Sequence, residues 1–221
     1  MVWVFGGKKV FSVKSVYDAL TRSNSGTYHK RIWKGKIPEK IKIFLWLMAN
    51  DAVLTRENLR KRNWDGDPCC VFCDSVETIH HLFFQCPVSK IVWLIIAKCL
   101  GATNVPLNLD QCWLWCEQWF PFGEKFHSCG VGAVCWAIWK CRNKAVFDKK
   151  LIKNPMEIIC YVYSLMMYWS GLYNELDKEQ MEGAKTMLRI AQEVMTAQTS
   201  RQVDRLLLHE GDSTDSDGDR A

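Results

Sequence analysis

The chain has 221 residues, enough for one large or two small domains, and 48% of them are hydrophobic, which excludes an unfolded tail as its main character. Its net charge of +5 is unevenly placed: residues 1–62 hold 14 Lys and Arg against 4 Asp and Glu, and the remainder carries a net −5. The start, Met1 to Lys9, lacks a basic segment leading into a long apolar run, so no secretory signal is expected and the 11 Cys do not read as a disulfide scaffold.

In chain order, Val10 to Leu20 opens with a short β-prone run. A helix is expected after Ser12, with Val13, Val16, Tyr17 and Leu20 on one face. Ser23 to Gly26 is turn-rich. Pro38 suits the first turn of a second helix, with Glu39 beside its positive end. Ile41, Phe44, Leu45 and Met48 repeat the apolar spacing, and Ile43, Trp46 and Leu47 make this helix apolar nearly all round, so it is expected at the centre of the core. Leu54-Thr55 reads as a capped entry into a short basic helix, Arg56 to Arg62, followed by a loop from Trp64 to Pro68.

Beyond a Cys- and His-bearing segment, Val88 to Leu100 has helical spacing in Val92, Ile95, Ile96 and Cys99, with Gly101 placed as a cap. Further helices are expected over Leu109 to Phe120, Gly130 to Phe147, and from Pro155 to about Ala197, the last with breaks near Gly171 or Gly183. Ile158 to Tyr173 is too short and interrupted to span a membrane. The fold class is therefore mainly α: a small helical domain at 1–100 that includes the Cys- and His-bearing segment, a linker at 101–108, a helical region at 109–200 and an acidic tail at 201–221. That tail is rich in Asp and Ser from Gly211 and is expected to be disordered. Most of the 11 Trp are expected in the core or an interface, because exposed Trp at that density aggregates.

Residues 69–87 carry the chemistry. Cys70, Cys73, His81 and Cys86 form the pattern C-x2-C-x7-H-x4-C. Three thiolates and an imidazole satisfy a tetrahedral zinc ion with no open position, as structural sites require. A two-residue spacer lets the backbone fold into a knuckle that aims two thiolates at one ion. Asp74, Ser75 and Glu77 are polar where the loop is expected to meet water, and Phe72, Leu82, Phe83 and Phe84 are apolar where it meets the core. Cys69 in place of Cys70 would lengthen the spacer to three, and His80 stands beside His81 as an alternative. The competing reading is buried thiols and a satisfied core histidine. Cys112 and Cys116, and Cys129, Cys135 and Cys141, lack a suitably spaced histidine other than His127 and read as core or surface thiols. His127 and Cys129 are also a weak nucleophile–base candidate.

A longer series surrounds these ligands: Phe11 to Tyr17, Ile32-Trp33-Lys34, Ile37 to Trp46, Leu54-Thr55 with Leu59, Cys70-Val71-Phe72-Cys73, Glu77-Thr78, His81 to Pro87 and Trp93. Over about residues 1–95 it resembles the reverse transcriptase zinc-binding domain of plant LINE-type, non-LTR retrotransposons. Ala137 to Phe147 is similar to what often follows in such proteins. The resemblance implies Cys70, Cys73, His81 and Cys86 as ligands of a structural Zn2+, prefers His81 over His80, and implies a place behind a reverse transcriptase in a larger polyprotein.

No paired-Asp polymerase motif or endonuclease is present, and Asp212, Asp215, Asp217 and Asp219 have no strand to position them as a ribonuclease H site. The expectation is a non-catalytic module of an intracellular protein, nuclear or cytoplasmic, with RNA or DNA as partner. Lys30, Arg31, Lys34, Lys36, Lys40 and Lys42 would meet phosphate, and Trp33 would offer a stacking face. The alternative is a structural or protein-interaction remnant, with a reverse transcriptase or another protein as partner. No membrane and no small-molecule substrate are expected.

Overall fold

The computed structural model describes residues 26–181, together with 189–191 and 193. The expected Ser12-capped helix and the acidic tail lie outside the described residues. Helices run α1 Gly26–Lys34, α2 Glu39–Ala49, α3 Arg56–Arg60, α4 Pro87–Leu100, α5 Leu109–Trp119, α6 Glu124–Phe147, α7 Met156–Trp169 and α8 Glu175–Met181. A single π-helical turn, His81–Gln85, precedes α4. Among the described residues there is no strand, only an antiparallel bridge between Cys69 and Val76.

Local chemistry explains most of these boundaries. Pro38 precedes α2 with Glu39 in its first turn. Thr55 caps α3 by accepting from the Asn58 amide. Pro87 opens α4, and Gly101 ends it at φ 69°, where a side chain would be strained. Asn108 caps α5 through the Gln111 amide. The long pattern from Pro155 breaks at a 3-10 turn over Ser170–Leu172, and Asn174 restarts the helix by accepting from the Asp177 amide.

Several elements differ from expectation. α1 covers residues in which no helix was anticipated; of Ile32 and Trp33 on it, only Ile32 is buried. α6 starts at Glu124, six residues before Gly130, because Gly123 ends the turn after Pro121 and Glu124 faces the positive helix end. α2 does bury Ile41, Phe44, Leu45 and Met48, but Ile43 remains 49% exposed, so its all-round apolarity is not matched by all-round burial.

α6 is the organising element. It packs against α2, the π turn, α5 and α7. Gly132 permits the close approach of α2: a Cβ there would lie 2.9 Å from the Ile41 Cγ2. One hydrophobic cluster runs from Ile32 through Phe83, Trp93, Trp113 and Ile138 to Trp169, on both sides of the 101–108 segment. Its aromatic rings interlock across elements: Phe44 meets Phe83 at 5.8 Å and Trp136 at 5.0 Å edge-on, and Phe84 stacks on Trp93 at 5.7 Å. Trp93, Trp113, Trp115 and Trp169 are buried, whereas Trp64 is 39% exposed. No described helix is long and apolar enough to cross a membrane.

Candidate metal centre

Two short devices aim four ligand atoms at one point. The first is a knuckle. The Cys73 amide donates to the Cys70 carbonyl at 3.3 Å, and the Cys70 amide to the Ser75 carbonyl at 2.7 Å. The Cys69–Val76 bridge closes the base, and the Glu77 amide donates to the Pro68 carbonyl at 2.9 Å. The second device is the π turn. His81 and Cys86 are five residues apart, which in an α-helix separates them by about 140° around the axis. The Cys86 amide instead donates to the His81 carbonyl at 2.7 Å, an i to i+5 closure that brings Cys86 back beside His81.

Such a turn disturbs the regular hydrogen-bond ladder, so its carbonyls need other donors. The Ser89 hydroxyl donates to the Leu82 carbonyl at 2.5 Å and the Trp93 indole to the Phe83 carbonyl at 2.8 Å. Thr78 accepts from the His81 amide at 2.9 Å and fixes the start of the turn. Leu82, Phe83 and Phe84 are buried, which anchors the turn in the core.

The result is a cluster of Cys70 Sγ, Cys73 Sγ, Cys86 Sγ and one His81 ring nitrogen, all within 4.8 Å of one another. Cys86 Sγ lies 4.0 Å from both Cys70 Sγ and Cys73 Sγ, and Cys73 Sγ lies 3.1 Å from His81 Nε2. Zinc–sulfur bonds of about 2.3 Å at tetrahedral angles put sulfurs about 3.8 Å apart. The donor set, its spacing and its burial therefore fit a closed four-coordinate ion. Cys69 stays outside the group, as does the exposed His80. Among the described residues no second group of this kind forms.

The thiols are electrostatically paired. The Cys70 thiol is pushed up, first by its hydrogen bond to Cys86 and then by burial. The same hydrogen bond draws Cys86 down. Burial lowers His81, favouring the neutral imidazole that a metal requires.

One assignment needs correction. Glu77 was expected to face water, but its side chain is fully buried. Its carboxylate accepts from Arg142 Nη2 at 2.6 Å and Nε at 3.1 Å, and from the Arg56 amide at 2.9 Å. Arg142 on α6 is only 2% exposed and lies over the Trp139 ring at 5.0 Å. This two-toothed ion pair ties the base of the knuckle to the start of α3 and to α6. Periodicity could not reveal it, because the partners are 65 residues apart. The one sequence signal was an Arg amid the otherwise apolar face of Gly130 to Phe147.

The weaker candidates resolve differently. His127 Nε2 lies 2.8 Å from the Phe120 carbonyl, and burial pushes the Cys129 thiol up to about 12, which leaves no activated nucleophile. Among the basic residues, Lys30, Lys34, Lys36 and Lys40 are exposed on α1 and around the start of α2. Arg31 forms an ion pair with Glu117, and Lys42 one with Glu39 at 2.8 Å. Trp33 is half-buried. The structure thus places four of the seven expected nucleic-acid contacts on open surface.

Residues 11–93 match the family described as zinc-binding in reverse transcriptase. Over those residues the chain is similar to reverse transcriptase zinc-binding domains. The Cys70–Cys73–His81–Cys86 cluster, the π turn and the first half of α4 fall inside the matched residues, while α5 to α8 lie beyond them. A curated Arabidopsis thaliana protein named "Putative ribonuclease H protein" is 35% identical over 98 residues, which cover 42% of this chain and 16% of that protein. The chain thus spans a small part of its relative's length. No solved structure matches.

Proposed function

We propose that this protein is a non-catalytic module that holds one zinc ion through Cys70, Cys73, His81 and Cys86 and uses the fold so stabilised to engage RNA or DNA. The observation that carries the metal reading is the convergence of four donors within 4.8 Å at the junction of knuckle and π turn. Bound there, zinc would supply folding energy and no open coordination position for chemistry. Glu77, a candidate for a general base, is committed to Arg142 and the Arg56 amide. The nucleic-acid role rests on the exposed Lys30, Lys34, Lys36 and Lys40 and on the kind of polyprotein in which such domains occur.

The test has two arms. Purified protein is expected to contain stoichiometric zinc, lost on replacing any one of the four ligands. Metal-free folded protein overturns the site. The metal-loaded chain is expected to bind RNA or DNA with a steep salt dependence, and no binding at low salt overturns the nucleic-acid role.

A second reading, a structural or protein-docking remnant, draws on the way several cations are used internally. Arg31 and Lys42 are ion-paired, while Lys36 and Lys40 lie 5.4 and 5.9 Å over the Tyr173 and Trp136 rings. Association with a protein partner without nucleic-acid affinity would favour it.

A further inference from the structure

The net −5 of residues 63–221 conceals a local excess of the opposite sign. Between positions 140 and 153 stand Lys140, Lys144, Lys149, Lys150 and Lys153, besides the buried Arg142, and Asp148 is the one acid. Lys144, Lys149, Lys150 and Lys153 are exposed and Lys140 is half-exposed. At 100° per residue, Trp136, Lys140, Asn143 and Phe147 fall within about 60° on one face of α6 and extend over about 16 Å. None of the four is buried, and Phe147 is 71% exposed.

Both ends of this face are organised. At one end Lys40 of α2 sits 5.9 Å over the Trp136 ring. At the other, Lys144 sits 5.6 Å over the Tyr161 ring of α7, and the Lys150 amide donates to the Lys144 carbonyl at 3.2 Å. That hydrogen bond folds the following loop back onto the helix end. Lys149 has φ 56°, a backbone conformation that Gly or Asn ordinarily supplies. Cations at a helix C-terminus also complement its dipole. The dipole alone does not call for an exposed Phe and a half-exposed Trp in line with them.

From this juxtaposition we infer that the outer face of α6 and the 148–153 loop bind single-stranded nucleic acid, with lysines on the backbone phosphates and Trp136 and Phe147 as base-stacking surfaces. This rests on the nucleic-acid reading above and extends it to a surface outside the family-matched segment. Alternation of rings and cations along a line suits a strand, because every base offers a π-face and every linkage a charge. Lys40 makes the face continuous with the basic α1–α2 surface.

The test is fluorescence anisotropy of the full, metal-loaded chain with a short labelled single-stranded RNA, between about 50 and 200 mM salt. The variant Lys144→Glu/Lys149→Glu/Lys150→Glu is expected to bind at least about tenfold more weakly, and its log–log salt slope to fall by about 2, since each lost phosphate contact removes about 0.7. Phe147→Ala is expected to cost at least about fivefold with the slope unchanged, as for a stacking contact. The neutral triple variant, Lys to Gln at the same three positions, guards against a folding artefact and is expected to fall between wild type and the Glu variant. Wild-type binding with both triple variants unaffected overturns this inference and leaves the α1–α2 surface standing. No binding by wild type overturns both. Competition by polyglutamate as effective as by unlabelled RNA also overturns it, by showing a general polyanion surface.

Discussion

Two cysteine clusters in one molecule behave in opposite ways. Cys70, Cys73 and Cys86 converge with His81, whereas Cys112, Cys116 and Cys135 meet in the core without a histidine. In the second set burial dominates. It pushes Cys112 and Cys135 far above the ordinary thiol range, with a Cys112–Cys116 hydrogen bond adding to the effect on Cys112. In the first set, hydrogen bonding between thiols comes first, raising Cys70 and lowering Cys86. Burial alone makes a cysteine a small apolar side chain. A ligand cysteine also needs backbone that aims it at other donors, here a knuckle and a π turn.

The largest test of this contrast is to remove one thiol from each set. Cys86→Ser is expected to abolish metal binding and, with it, cooperative unfolding of the front half, because structural zinc contributes on the order of 10 kcal/mol in small zinc domains. Cys135→Ala is expected to cost about 1–2 kcal/mol, as a modest core deletion, with metal content unchanged. Elemental analysis and thermal melts check both, and loss of metal from Cys135→Ala would erase the distinction.

Next in size is the link between the two regions. Glu77→Leu leaves Arg142 buried without its carboxylate and is expected to cost about 3–5 kcal/mol in chemical denaturation. Arg142→Met should cost a similar amount. The double variant should recover most of the loss, since removing both charges replaces a desolvated pair by apolar contacts. A strictly additive double variant would show that the pair does not couple the regions. Thr55→Ala removes the α3 cap next to that junction and is expected to cost about 1 kcal/mol.

The smallest effect is kinetic. In metal-loaded protein at pH 8, Cys160, exposed on α7, is expected to alkylate first. Burial holds Cys99 at about 11 and Cys129 at about 12, so both remain neutral thiols at that pH. Their thiolate fraction rises tenfold per pH unit below those values, and peptide mapping after pulsed alkylation should follow that order. Early modification of Cys129 would contradict the packing around it.

The convergence of Cys70, Cys73, His81 and Cys86 was legible because its information is local: a two-residue spacer, a histidine, a following cysteine and proline. Helix boundaries at Thr55, Pro87 and Gly101 were legible for the same reason, each being set by one residue's hydrogen bonding or backbone freedom. The π turn was not, since the His81-to-Cys86 closure depends on Ser89 and Trp93 supplying donors from the next helix. Nor was the burial of Glu77, because a carboxylate in a polar loop looks solvated until its partner 65 residues away is known. Charge summed over long stretches also misled. Residues 63–221, with a net −5, still hold five lysines between 140 and 153.

The Glu77–Arg142 pair also sets a timetable during synthesis. Ribosomes add roughly 5–20 residues per second, so the 65 residues between the partners take roughly 3–13 s to make. For that interval the nascent knuckle holds an acid whose only low-energy place is in water. The cysteines therefore emerge well before the surroundings that lock them, and a chain paused short of α6 would present open thiols to any passing metal or oxidant.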